Sequence, residues 1–325
     1  MVREREWTLI FPLYLLTELN LITGFQTLLI CLLSIPGLLA HEVSLSVIFT
    51  KYFHLMTSCI LIAFLLSLLS YFLSFRSDPS ELSSKGSSGN PLSDLYHGRQ
   101  LNPTFTGCNL KLETFRFSMI GLAILNLAMV TQSLLESDGK PNMAVIVTAS
   151  MQVLYSMDAM FYEKYYFNSN DFLNSGYGWS LVSSYLTFPF LPTLVTRYMV
   201  HIQPQPHPAF LLGSGLLNLL GYLIYRSSET QRCELATNPT NPELAGLETC
   251  RGLEGRRLIL SSWWSQVRHP TYLGELIIQW SWVLPLAASL GFAFLTPYYL
   301  AVMTTLMLVV RCLQTNNKNK RSAVQ

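Results

Sequence analysis

Runs of about twenty apolar residues recur along this chain, and no other feature limits its possible folds so strongly. A helix needs roughly 20 residues to cross a hydrocarbon layer of about 30 Å. We therefore predict eight membrane spans, near Gly24–Ala40, Leu55–Phe75, Phe117–Leu134, Met143–Tyr162, Trp179–Tyr198, Ala209–Tyr225, Tyr272–Leu290 and Phe292–Val310. The lipid bilayer is the predicted environment of most of the chain.

Composition agrees with this environment, because 50% of the residues are hydrophobic and only 12% are charged. Backbone groups in lipid must be hydrogen-bonded within a helix or a closed barrel, and the runs lack the alternation of barrel strands. We predict an all-α, polytopic transmembrane helical bundle. The sequence has no Walker loop and no GxGxxG motif after a strand, which excludes a soluble nucleotide-binding fold.

The distribution of Lys and Arg predicts how the spans are oriented. With eight spans, one side of the membrane holds both termini and the loops 76–116, 163–175 and 226–271. That side carries 18 of the 21 Lys and Arg residues. Because such residues concentrate in cytosolic loops, both termini are predicted to be cytosolic. Basic residues spread over membrane-flanking loops do not indicate direct binding to nucleic acid.

The apolar runs divide the chain into three predicted segments. Residues 1–23 are predicted to be an interfacial segment or partial span, because Glu18 and Asn20 interrupt their apolar stretch, and no signal-peptide cleavage pattern follows. Residues 24–310 are the predicted membrane domain, and the polar residues 311–325 are predicted to be disordered. The six cysteines form no CxxC pair, so we expect reduced thiols and no metal site.

The fourth predicted span carries a polar face near its end. Tyr155, Asp158, Tyr162 and Tyr165 are spaced by three, four and three residues and therefore share one side of a helix. An ionisable residue in an apolar helix is costly and commonly faces a cavity. Asp158 is a candidate proton donor, with a helix–helix hydrogen bond as the alternative.

The loop 226–271 is a candidate site for a phosphorylated cofactor, because Arg side chains match the geometry of phosphate. It contains six arginines, namely Arg226, Arg232, Arg251, Arg256, Arg257 and Arg268. Membrane topology alone is the alternative explanation for these charges.

A second polar face opens the seventh predicted span. Tyr272, Glu275 and Gln279 share one side of a helix, and Trp263 and Trp264 precede them at the expected depth of the membrane interface. Polar residues that enter lipid together predict a lined cavity, and a purely structural role is the alternative.

With these motifs, the sequence resembles the sterol C14-reductase family, which includes the membrane domain of the lamin B receptor. The resemblance extends from Gly24 to about Arg311. It is carried by Gly86–Pro91, Gly98–Pro103, Asp158 with Glu163, Gly176–Gly178, Asn238–Pro239 and Trp264–Gly274. The block from Arg268 to Gly274 alone is also similar to membrane methyltransferases of the isoprenylcysteine type.

The resemblance implies a multi-pass enzyme of the endoplasmic reticulum or inner nuclear membrane that reduces the C14 double bond of a sterol with NADPH. Protonation of the alkene and hydride transfer would accomplish the reduction. The implied catalytic residues are Asp158, Tyr162 and Glu275. The implied cofactor-binding residues are Arg226, Arg232, Trp264, Arg268, His269, Tyr272 and Arg311.

The sequence departs from the family at polar positions, which leads us to expect weakened or lost NADPH binding. Where the family has Lys-Asn-x-Phe-Arg, Arg232–Ala236 keeps the first cation and lacks the second. A family Gly-Asp corresponds to Ser184–Tyr185. After Arg311 the sequence becomes polar, where the family continues with an Arg-x-x-Asp-Glu run and a tyrosine-rich tail. Loss of one charged contact weakens binding by about 1.5 to 3 kcal/mol.

Three functions therefore remain open. The first is a sterol C14-reductase, and the second is a catalytically impaired sterol-binding or scaffold protein like the lamin B receptor. The third is a membrane methyltransferase. The oligomeric state is not predicted.

Overall fold

The computed structural model describes residues 23–40, 45–105, 107–167, 170–244, 246–251 and 257–290, with residues 302, 305–306 and 308–310. Its α-helices are α1 (Gly24–Ala40), α2 (Ser46–Thr50), α3 (Tyr52–Leu73), α4 (Pro91–His97), α5 (Leu110–Glu136), α6 (Met143–Phe161), α7 (Glu163–Phe167), α8 (Asn170–Asn174), α9 (Trp179–Thr187), α10 (Phe190–Ile202), α11 (Pro208–Thr237), α12 (Trp263–Gln266) and α13 (Pro270–Leu290). Short 3-10 helices cover Ser74–Arg76, Pro79–Glu81 and Pro242–Leu244. Strands β1 (Thr104–Phe105) and β2 (Cys108–Asn109) form one antiparallel hairpin, and β3 (Thr249–Arg251) and β4 (Arg257–Ile259) form another.

The prediction of an all-α membrane protein is confirmed. Within the described residues, four helical segments are long and apolar enough to cross a membrane, namely Tyr52–Arg76, Leu110–Glu136, Met143–Phe161 and Pro208–Thr237. Large apolar side chains on α3, such as Leu61 and Leu65, are more than 60% exposed, as expected for lipid contact. The count of eight spans and the cytosolic placement of the termini stay predictions.

The chain forms two compact units. Unit 1 comprises Met1–Glu136 and Gln152–Thr193, and unit 2 comprises Ser137–Met151 and Leu194–Gln325. The predicted terminal segments, 1–23 and 311–325, lie almost entirely outside the described residues. The eighth predicted span is described only at a few helical positions, including Val302 and Leu308.

Two predicted spans differ most from the structure, and the helix of the third begins seven residues before its predicted start, at Leu110. The fifth is divided into α9 and α10, because Pro189 has no N–H group to continue the helical ladder, and Leu191 N bonds instead to Phe188 O. The sixth was predicted to end at Tyr225. In the structure it is α11, a helix of 30 residues that ends at Thr237. That length is about 45 Å and exceeds the hydrocarbon thickness, so the polar end of α11 extends beyond an apolar layer.

One core cluster of unit 1 is built from residues of three helices. Leu28 of α1, Phe115 and Met119 of α5 and Met160 of α6 are buried against one another. Ser156 donates a hydrogen bond to the carbonyl oxygen of Met119 at 2.5 Å, which satisfies a polar group inside this apolar interface. The core therefore fixes the last turns of α6, where Asp158 lies.

Four glycines allow backbone segments of unit 1 to touch. A Cβ atom on Gly86 or Gly176 would lie 1.9 Å from the carbonyl oxygen of Gly98, and one on Gly98 would lie 2.2 Å from the nitrogen of Gly178. Gly98 also has φ of +81°, a conformation that favours glycine. The glycines of three sequence motifs thus form one contact between the segment 86–98, which includes α4, and the residues just before α9.

The side chain of Asp94 organises the same loop. Its carboxylate accepts hydrogen bonds from Ser88 N at 2.8 Å, Ser88 Oγ at 2.7 Å and Gly89 N at 3.3 Å. Burial by itself raises the pKa of Asp94, but these bonds and the charge of Arg99 bring the pKa below its ordinary value. Because the folded-state pKa is the lower one, the stabilisation is complete above the unfolded pKa of about 3.9 and is lost as pH falls through the folded pKa.

We expect Asp94→Ala to open this loop, because three hydrogen bonds to a charged acceptor disappear. Bonds to charged groups are each worth about 1.5 to 3 kcal/mol. Trypsin should cleave the variant after the exposed Lys85 faster than it cleaves the wild type at neutral pH, with the fragments followed by mass spectrometry. Asp78→Ala, which removes an exposed carboxylate nearby, is the control. Equal cleavage rates in the two variants would contradict this role.

Unit 2 is organised by the antiparallel pair α11 and α13. A Cβ atom on Gly274 would lie 2.5 Å from the nitrogen of Tyr225, and one on Gly221 would lie 2.9 Å from the nitrogen of Ile278. Further along, Asn218 Nδ2 donates to Ser281 Oγ at 2.8 Å. This register brings the polar end of α11 beside the start of α13.

Candidate functional site

Asp158 and Tyr162, the first two predicted catalytic residues, lie where α6 ends. Both are partly buried, and Tyr162 N donates to Asp158 O at 3.0 Å. The helix stops at Phe161, so Tyr165 belongs to α7, and its ring stacks on that of Tyr162 with centroids 5.6 Å apart. Tyr162 and Tyr165 are therefore neighbours although the helix breaks between them, and a single polar face with Tyr155 and Asp158 stays a prediction.

An ion-pair cluster that was not predicted from the sequence lies beside this turn. Arg116 of α5 donates to both carboxylate oxygens of Glu163, at 3.1 and 2.9 Å, and to Glu113 at 3.2 Å. Glu163 also accepts a bond from Gly24 N at 3.0 Å. The Arg116 and Glu163 side chains are 8% and 13% exposed. The available signal was the pair Glu113 and Arg116, three residues apart at the start of an apolar helix.

A second buried cation ties the loops of unit 1 together. Lys111 is fully buried, and its Nζ donates to the carbonyl oxygens of Leu101 at 3.3 Å, Ser175 at 2.7 Å and Phe172. The ammonium also lies 4.2 Å from the ring centroid of Phe172. These contacts give Lys111 a structural role.

Arg226, the first predicted cofactor residue, lines an open groove along the polar end of α11. The groove has a volume of about 380 Å³ and is lined by Tyr222, Leu223, Arg226, Ser227, Thr230, Gln231, Glu234 and Leu244. Gln231 Nε2 donates to Ser262 Oγ at 3.3 Å, which links the groove wall to the segment before Trp263. The groove therefore combines one arginine, one carboxylate and several neutral polar groups.

Arg232 does not join Arg226 in the groove. Six helical residues at 100° each place the two side chains about 120° apart around α11. Arg232 is instead paired with Glu229. Arg232 Nη2 donates to Glu229 Oε1 at 2.5 Å, and Arg232 Nε donates to Glu229 Oε2 at 3.2 Å. This pair was not predicted from the sequence, although the spacing of three residues on one helix was a signal.

The residues around the start of α13 include two polar atoms in need of partners. Trp264 Nε1 and His269 Nε2 are buried and have no hydrogen-bond partner in the described part of the chain. His269 stacks on Tyr272 with ring centroids 5.3 Å apart. Burial, and then the charge of Arg268, lower the pKa of His269, so the imidazole is neutral at pH 7.

Glu275, the third predicted catalytic residue, lies one turn further into α13. Its Oε1 accepts a hydrogen bond from Gln279 at 3.4 Å, as expected for neighbours on one helix face. Arg268 is exposed between α12 and α13, and Arg311 lies outside the described residues. A cavity shared by Asp158, Tyr272 and Glu275 remains a prediction.

The helices, the polar turn of unit 1 and the groove of unit 2 define a multi-pass membrane protein with candidate sites at the ends of its helices. The chain belongs to the ergosterol biosynthesis ERG4/ERG24 family, whose model matches residues 15–323. This match confirms the resemblance to sterol C14-reductases.

Individual relatives agree with the family. The chain is 37% identical over 254 residues to "Delta(14)-sterol reductase TM7SF2" of Mus musculus, an alignment that covers 77% of the chain and 59% of the relative. It is 29% identical over 298 residues to "Delta(14)-sterol reductase LBR" of Gallus gallus, covering 89% of the chain and 45% of the relative. The corresponding values for "Delta(14)-sterol reductase erg24" of Schizosaccharomyces pombe are 29% over 245 residues, 73% and 56%. The chain spans about half the length of these curated relatives.

Proposed function

We propose that the chain is a Δ14-sterol reductase that reduces the C14 double bond of a sterol intermediate with NADPH. Its proposed location is the endoplasmic reticulum membrane or the inner nuclear membrane. The family match over residues 15–323 is the observation that carries the proposal. The names of the relatives favour a reductase over a methyltransferase.

The residues of unit 2 fit a polar cofactor in part. Buried nitrogens without partners usually meet a ligand or a water molecule, and Trp264 and His269 each present one. Arg226 adds a cation that lines an open groove. Arg232 fits less well, because Glu229 already occupies its guanidinium. We propose that Arg226, Trp264, His269 and Tyr272 hold NADPH, with Arg232, Arg268 and Arg311 near its phosphates.

The proposed chemistry adds a proton and a hydride across the alkene. NADPH supplies the hydride when bound. Asp158 is the proposed donor of the proton to the alkene, and Tyr162 is proposed to orient the carboxyl group of Asp158. Glu275 is the proposed second acid group. The apolar helices exclude water, so an electron-deficient carbon formed by protonation is not captured by solvent.

The activity test uses membranes that contain the full chain, an 8,14-diene sterol and NADPH. We expect loss of the C14 double bond, detected by mass spectrometry. Asp158→Asn should lower the rate at least about 100-fold, because general acids contribute roughly 10²- to 10⁴-fold. Asp78→Asn changes an exposed carboxylate and serves as the control. Unchanged turnover in Asp158→Asn would remove this residue from the mechanism.

One observation favours a second function, that of a sterol-binding protein without reductase activity. The Arg232–Glu229 ion pair neutralises a cation that the family resemblance assigns to cofactor phosphates. Binding of a radiolabelled 8,14-diene sterol without any saturated product, over a range of NADPH concentrations, would support this function over the first.

A further inference from the structure

We propose that Glu229 is a built-in competitor for the guanidinium of Arg232 and sets how tightly unit 2 binds a phosphate-bearing ligand. This inference rests on the proposed function, because Arg232 is there assigned to the cofactor phosphates. It assigns to Glu229 an effect on the affinity for a phosphate-bearing ligand, and this effect acts through Arg232.

The geometry of the pair carries the inference. Two parallel N–H···O bonds, at 2.5 and 3.2 Å, occupy the Nε/Nη2 edge of the guanidinium, one of its two edges that can hold a phosphate bidentately. A carboxylate and a phosphate oxygen pair present the same arrangement of acceptors to this edge. A phosphate therefore gains this edge, and loses the repulsion of the carboxylate beside it, only after Glu229 is displaced.

The burial of the two side chains shows which partner is held and which is reachable. The Glu229 side chain is 11% exposed and that of Arg232 is 37% exposed. Glu229 is thus fixed against the body of unit 2, whereas a ligand in solvent can reach Arg232. Because the two residues are one helical turn apart, the pair needs no long-range contact to form.

The charges on this part of α11 support the same conclusion. The segment from Arg226 to Thr237 contains two arginines and two carboxylates, those of Glu229 and Glu234, so it carries no net charge. Glu234 lines the groove with Arg226 and accepts a hydrogen bond from Asn241 at 3.2 Å. Neutralising Glu229 gives this surface a net positive charge and also removes the bidentate carboxylate from Arg232.

The test compares the purified full chain with the variants Glu229→Gln and Glu234→Gln. Both substitutions remove one negative charge from α11, but only the first removes the bidentate partner of Arg232. The probe is adenosine 2′,5′-bisphosphate, with adenosine as the uncharged reference, and the Kd is measured by calorimetry. We expect Glu229→Gln to bind the bisphosphate at least tenfold more tightly than wild type, and Glu234→Gln less than threefold.

Further variants guard against indirect effects. Glu229→Asn, which retracts the side chain, should give a similar gain if Glu229→Gln is poorly folded. Adding Arg232→Gln to Glu229→Gln should abolish the gain. An equal gain in Glu234→Gln would assign the effect to charge alone and overturn the inference. An unchanged affinity in folded Glu229→Gln, or in Glu229→Asn where Glu229→Gln does not fold, would overturn it as well.

The result is independent of turnover. A tenfold gain in a chain that forms no saturated sterol would support the competitor and reject the reductase. Sterol turnover without tighter binding of the bisphosphate by Glu229→Gln would support the reductase and reject the competitor role of Glu229.

Discussion

Gly98→Ala is expected to prevent unit 1 from folding. The new Cβ would lie 2.2 Å from the nitrogen of Gly178 and 2.4 Å from the carbonyl carbon of Tyr177. These are backbone atoms, so no side-chain rotation relieves the clash, and the two segments must separate. The φ of +81° at Gly98 adds about 1 to 2 kcal/mol of conformational strain.

Gly89→Ala is a matched control for the conformational part of this effect. Gly89 lies in the same loop with φ of +82°, but a Cβ there meets nothing within 4 Å. Size-exclusion chromatography of the solubilised protein should show a monodisperse peak for Gly89→Ala and none for Gly98→Ala. Similar peaks from both variants would mean that the backbone segments at the Gly98 contact can separate without preventing folding.

Arg116→Ala is expected to destabilise unit 1 by about 3 to 5 kcal/mol, the usual effect of removing one partner from a buried ion pair. The variant leaves the carboxylates of Glu113 and Glu163 without their shared cation. Glu163 would then hold a negative charge with its side chain only 13% exposed. The amide of Gly24 remains as one of its donors.

The apparent melting temperature in detergent measures this loss. Lys164→Ala, which removes an exposed cation next to Glu163, should change it little. The double variant Arg116→Ala with Glu163→Ala should be more stable than Arg116→Ala alone, because no unpaired carboxylate remains at position 163. A double variant less stable than the single one would show that the charge of Glu163 is not the source of the effect.

Helix positions followed well from apolar runs, because burial in lipid requires a continuous stretch of helix. α1 has the predicted bounds, and α3 and α13 differ from the predicted spans by a few residues. α11 was predicted too short, since hydropathy reports only the lipid-embedded part of a helix. The polar residues after Tyr225 continue the backbone hydrogen bonds of the same helix, but their hydropathy does not indicate a membrane span.

The candidate site was less predictable, because its partners are distant in sequence. Glu163 contacts Gly24 across 139 positions and Arg116 across 47 positions, and no local pattern encodes such pairs. The Arg232–Glu229 pair was different. Its spacing of three residues was visible, but a loop was predicted where α11 continues, so the two residues were not placed on one helix.

The close approach at Gly221 and Gly274 affects how unit 2 responds to a ligand. Helices whose backbones touch have no deformable layer of side chains between them, so they resist sliding and move as one solid piece. Tyr225 and the first turn of α13 therefore keep a constant separation. A molecule that spans both would meet a surface already in its final shape and would lose little affinity to rearrangement of the protein.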